Sequence, residues 1–72
     1  MTFEDFKNEI NDVIAYRPKH IRKGQAVFNY IDSKYDVARA VQFGDNVDCF
    51  YRDDQIEDFI KASYKRIIKK YE

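Results

Sequence analysis

Phe3, Phe6, Ile10, Val13 and Ile14 recur at helical spacing with polar residues between them. That pattern marks a helix with one narrow apolar face. Thr2 stands where an N-cap belongs, and Asp5 three residues on makes a capping-box-like pair. Pro18 ends the segment and biases Arg17 away from helical backbone. A first helix is therefore predicted over about residues 3–16, followed by a loop at 17–22. A second helix is predicted over 23–35, with Val27, Phe28, Ile31 and Tyr35 on its core face. Gly24 falls near its start, where a glycine costs a helix least and lets a neighbour come close.

Asp36 is expected to cap a short third helix running to about Gln42, with Val37, Val41 and Phe43 inward and Gly44 at the C′ position. Residues 45–52 read as a loop or tight turn around Val47 and Phe50. Asp53 or Asp54 opens the last helix, whose apolar stripe is Ile56, Phe59, Ile60, Tyr64, Ile67 and Tyr71. Acidic residues at its start and Lys69 and Lys70 at its end complement the helix dipole. Sustained period-two alternation is missing, so no strand is predicted. The expectation is an all-α, compact three- to four-helix fold, with residues 1–72 as a single helical domain.

Composition agrees with a packed core. Hydrophobic residues make up 44% of the chain and aromatics 17%, too many for a disordered chain. With six Phe, six Tyr and no Trp, much of that core must be aromatic. Cys49 is the lone cysteine, which rules out an internal disulfide and suits a reducing, cytoplasmic setting. The chain starts at Met1 without a basic, apolar leader and reads as a complete small gene product. Its apolar runs are far shorter than the roughly 20 residues a membrane span needs, so no membrane partner is expected.

The formal net charge is zero, which weakens the case for a nucleic-acid or acidic-membrane ligand. The charge is nonetheless arranged in blocks. Residues 1–15 carry −3, 16–23 carry +4, 44–58 carry −5 and 59–72 carry +4. Arg17, Lys19, Arg22 and Lys23 form one basic cluster, which Lys61, Lys65, Arg66, Lys69 and Lys70 could extend. Tyr16, Tyr30 and Tyr64 could add stacking surfaces for bases. Solvated faces and dipole complementation account for the same blocks, and the acidic blocks would repel a polyanion unless they lie on the far side.

Two further constellations hold polar side chains. Arg22, Gln25, Ala26, Asn29 and Ser33 share one side of the second helix, and Gln25 and Asn29 are one turn apart. Such amides bind a partner's backbone, or else tie down neighbouring loops. Residues 48–54 gather three carboxylates with Phe50, Tyr51 and Cys49. Their spacing matches no EF-hand or other metal motif, and Asp48 and Asp53 read as caps. His20 and Cys49 have no spacing that pairs a nucleophile with a base. No catalytic residue, metal site or cofactor is expected.

Arg22-Lys23-Gly24-Gln25-Ala26-Val27-Phe28-Asn29 resembles an R-x-G-Q-x-x-F-N pattern. Asp48-Cys49-Phe50-Tyr51-Arg52-Asp53-Asp54-Gln55-Ile56 through Phe59 resembles D-x-F-Y-x-D-x-x-I-x-x-F. Over roughly residues 20–60 the chain is thereby similar to a family of very small proteins encoded by bacteriophages, prophages and other bacterial mobile elements. Many of its members have proline where this chain has Cys49. The resemblance implies no established activity. It favours a non-enzymatic interaction protein that binds a host or phage protein and modulates a defence or replication system. The alternative is a small nucleic-acid-binding protein using the loop at 17–23 and the last helix. Candidate binding residues are Arg22, Gln25, Asn29, Arg17, Lys19, Lys23, Asp48 and Tyr51. If Arg22, Gln25 or Asn29 bonds to Asp48 or its loop, the shared pattern is structural; if they point together into solvent, it is a site.

Overall fold

The computed structural model describes residues 1–71. Helix α1 spans Phe3–Ala15, and its capping box is formed: the Asp5 amide donates to the Thr2 hydroxyl at 3.1 Å, and the Thr2 amide donates to the Asp5 carboxylate at 3.2 Å. Helix α2 spans Lys23–Tyr35 and α3 spans Ala38–Gly44. A 3₁₀ turn, Asp53–Gln55, leads into α4, Ile56–Tyr71.

Side-chain pairings fix the topology. Phe6 packs edge-on to Tyr35 and Phe3 to Tyr64, whereas Lys7 faces Glu57. Helix α1 is therefore antiparallel to both α2 and α4. Phe28 meets Phe59 near the starts of α2 and α4, and Lys70 meets Tyr35 near their ends, so these two helices run parallel. Phe6, Ile10, Val27, Ile31, Val41, Phe59, Ile60 and Ile67 are all no more than 2% exposed and form the centre of the core. Truncating Phe6 to alanine would cost about 3–5 kcal/mol at such a site. No helix among the described residues is long and apolar enough to cross a membrane.

Three expectations around α3 are corrected. Asp36 does not cap α3; it closes α2 in the left-handed region, φ 57°, with its amide bonded to the Ile31 and Asp32 carbonyls. The α2 end is so well closed because Lys70 and Tyr71 also donate to the Tyr35 carbonyl. The cap position of α3 falls to Val37, which belongs to the core. Gly44 is the last residue of α3 rather than a left-handed C′ residue, and Asn46 takes the positive φ, 57°. A Cβ on Gly44 would lie 2.6 Å from the Arg66 guanidinium, which passes over it to pair with Asp45 at 2.8 Å. Phe43 points outward and is 80% exposed. It follows the buried Val41 by two residues, about 200° around the helix, so both cannot face the core.

Candidate functional site

Helix α2 has no capping side chain of its own, since its N-cap is Arg22. The cap comes from the far half of the chain: Asp53 Oδ1 accepts the Gly24 amide at 2.9 Å. Arg22 Nη2 donates to the Phe50 carbonyl at 2.9 Å, and its guanidinium lies 5.7 Å from the Tyr51 ring centroid. The Cys49 thiol donates to the Gly24 carbonyl at 3.3 Å. Gly24 is required here, because a Cβ would sit 1.9 Å from the Cys49 carbonyl oxygen. The two halves of the sequence pattern therefore meet, and Arg22, Gly24 and Asp53 hold the 49–53 segment to the start of α2.

Asp48 shapes that segment. It accepts the Phe50 amide at 2.8 Å, an Asx-type turn, and the Gln42 side-chain amide at 3.0 Å. Gln55 returns to the Asp48 amide at 3.3 Å. Gln25 and Asn29 do not join it: among the described residues neither makes a side-chain hydrogen bond, and Asn29 is exposed while Gln25 is half-buried.

The basic residues separate into three roles. Arg17 donates to the Ile14 carbonyl at 2.6 Å and the Ile21 carbonyl at 3.0 Å, closing α1 and the loop after it. Lys19 and Lys23 stand exposed at the pole where α2 begins. That pole also holds Asp53, Asp54, Glu57 and Asp58 at the start of α4. Lys61, Lys65 and Lys69 step away from it along one face of α4 and take part in no ion pair among the described residues. The acidic turn thus stands beside the loop, and the α4 lysines lead away from both.

A second surface lies between α3 and the 48–52 segment. Phe28, Arg39, Gln42, Phe43, Phe50 and Tyr51 line an open cavity of about 280 Å³. Phe28 forms its floor, edge-on to Phe50 at 5.5 Å, and Phe50 meets Tyr51 edge-on at 4.7 Å. Phe43 and Tyr51 rise from the rim, 80% and 73% exposed. Arg39 is exposed at the same rim and pairs with no carboxylate among the described residues. Tyr51 was legible in the sequence; Arg39 and Phe43 were missed. Their signal was their i,i+4 spacing, which places them on one face of a short helix whose Val41 is inward.

Glu9 was also missed. One oxygen, Oε2, accepts from Tyr30 at 2.6 Å, Tyr35 at 2.7 Å and Lys34 at 3.1 Å. Partial burial pushes the Glu9 carboxyl up, but the three donors outweigh it and hold the group below its ordinary value. Burial, reinforced by the carboxylate, raises Tyr35 to about 12. This cluster ties α1 to α2 through satisfied donors and leaves no free nucleophile or base.

Cys49 is fully buried, and burial followed by the charge of Asp48 raises its thiol to about 12. It carries no thiolate at neutral pH and is chemically inert in the folded state. His20 stands exposed on the loop after α1. Among the described residues no three His, Cys, Asp or Glu side chains converge as metal ligands would. No protein-family model, no curated protein sequence and no solved structure matches this chain.

Proposed function

We propose that this chain is a non-enzymatic interaction protein that binds another protein through the rim formed by Phe43, Phe50, Tyr51 and Arg39. The observation that carries this reading is the exposure of Phe43 and Tyr51, 80% and 73%, beside a cavity of about 280 Å³. Two large aromatics left in water cost solubility and do nothing for the core. Exposed apolar patches of this kind mark interaction surfaces, and aromatic and Arg side chains dominate binding energy at such surfaces. The cavity is open and shallow rather than enclosing, unlike the clefts that bury most of a small molecule's surface. Arg22, Asp48 and Asp53 act on this surface indirectly, because they fix the segment that carries Phe50 and Tyr51.

The sequence pattern's resemblance to proteins of bacterial mobile elements supports a cytoplasmic host or phage protein as the partner. Affinity capture from a bacterial lysate tests this when run with the Phe43→Ala variant alongside. A protein retained by the wild type and lost with the variant supports the reading. Identical recoveries from both refute it.

A second reading, nucleic-acid binding, is favoured by one observation, the row Lys61, Lys65 and Lys69 on α4, which forms no ion pair among the described residues. Three phosphate contacts would give a salt-dependence slope of about −2.7. A DNA or RNA titration at low ionic strength that shows no binding removes it.

A further inference from the structure

We infer that the partner segment seated on the aromatic rim carries an aromatic or leucine side chain flanked by carboxylates; this rests on the protein-binding reading above. The anchor follows from the cavity. It is lined by the rings of Phe28, Phe43, Phe50 and Tyr51, and an open cavity of about 280 Å³ has room for a large apolar side chain. Phe50 already packs edge-to-face with Phe28 and with Tyr51, at 5.5 and 4.7 Å between centroids, and a ring entering beside them can continue that packing.

The flank follows from charge. Arg39 lines the cavity, and Arg22 lies against Tyr51 with one guanidinium nitrogen committed to the Phe50 carbonyl. Neither Arg22 nor Arg39 has a carboxylate within 4.0 Å among the described residues. Asp48, joined to the lining through Gln42, already accepts from Gln42 and from the Phe50 amide. A guanidinium presents a planar fork that matches a carboxylate in two parallel bonds. The guanidinium of Arg39, which pairs with no carboxylate among the described residues, and the uncommitted side of the Arg22 guanidinium beside Tyr51 therefore complement an acidic, aromatic-bearing peptide and repel a lysine-flanked one. A single-stranded nucleic acid needs a continuous cationic track beside its stacking rings. The α4 lysines lie on another helix and form no such track with the rim, whereas a short peptide needs only the guanidinium groups at the rim itself, so the peptide is the occupant the charges favour.

Selection of random twelve-residue peptides on the immobilised protein tests this, with counter-selection on Phe43→Ala and a parallel selection on Arg39→Glu. Both side chains are exposed, and thermal unfolding of each variant checks that it folds. The expected result is enrichment of sequences with Asp or Glu within a few positions of Phe, Trp, Tyr or Leu. Arg39→Glu should weaken the best of them at least ten-fold and shift the selection toward Lys and Arg flanks. Aromatic peptides enriched with no charge preference, or with basic flanks, overturn this inference and leave the protein-binding reading standing. Equal enrichment on wild type and Phe43→Ala overturns both. Oligodeoxythymidine binding that Phe43→Ala abolishes, or concentration-dependent self-association lost with the same variant, would assign the rim to nucleic acid or to a second copy instead.

Discussion

Replacing Gly24 by alanine sets two physical effects against each other. Helix propensity alone makes the change favourable by at most about 1 kcal/mol, the helix-interior value, since Gly24 is the second residue of α2. The tertiary structure opposes it, because the new Cβ would lie 1.9 Å from the Cys49 carbonyl oxygen, and real Cβ atoms essentially never come within 3.0 Å. The obstruction is backbone, so the 49–53 segment must withdraw. Withdrawal strains three bonds: Asp53 to the Gly24 amide, the Cys49 thiol to the Gly24 carbonyl, and Arg22 to the Phe50 carbonyl. Losing the cap costs about 1 kcal/mol, and the other two bonds about 1 kcal/mol each. The net loss is about 2 kcal/mol, against a total stability of roughly 4–11 kcal/mol for a domain of this length. Urea unfolding followed by circular dichroism should show the lower midpoint, and Tm should fall by roughly 8–16 °C. Gly44→Ala is the control. There the obstruction is the end of the Arg66 side chain, which can swing aside, so the cost should stay below about 1 kcal/mol. A Gly24→Ala protein as stable as the wild type, or more so, would refute the claimed closeness of α2 and the 49–53 segment.

Glu9→Gln should cost about 1 kcal/mol at neutral pH, because three donors lose their charged acceptor. The folded Glu9 pKa lies below the unfolded 4.5, so its contribution is fully present above 4.5 and fades as pH falls through the folded value. Stability curves of the two proteins should converge in that acid window, and curves that stay parallel would contradict the network. Tyr35 acts at the other end: its raised pKa gives stability that is intact below 10 and lost as pH rises toward about 12, visible as alkaline unfolding. The Cys49 thiol should be unreactive to a disulfide reagent in the native protein and react at the rate of unfolding; rapid labelling would show an open 49–53 segment. Ser63 is fully buried with an unpartnered hydroxyl, so Ser63→Ala should raise stability by about 1 kcal/mol, or Tm by roughly 4–8 °C.

The helices and most of the core were legible because long amphipathic segments announce themselves. The capping box at Thr2, the span Lys23–Tyr35 and the stripe on α4 need nothing beyond local spacing. Asp36 and Gly44 misled because their local preferences lost to tertiary demands. Asp36 was needed to end α2 under Lys70, and Asn46 rather than Gly44 took the left-handed position after α3. The junction of Arg22 and Gly24 with residues 49–53 was visible only as two matching fragments, since nothing local says that Asp53 caps a helix 29 residues away. The aromatic rim stayed hidden because Phe43 reads as core in any hydropathy pattern. Only the phase set by Val41 shows that it faces water. Glu9 had the same difficulty in reverse: an acidic residue beside Ile10 looks solvated until two tyrosines and a lysine from α2 converge on it.

The central claim is that the rim of Phe43, Phe50, Tyr51 and Arg39 is the working surface of this protein. A nitrogen–proton NMR titration of labelled protein with the selected acidic, aromatic peptide tests it most directly. Saturable shifts at Phe28, Gln42, Phe43, Phe50 and Tyr51, with the amides of Lys61–Lys69 unmoved, are the predicted result. Shifts confined to the α4 lysines or to residues 17–23, with the rim silent, would contradict it.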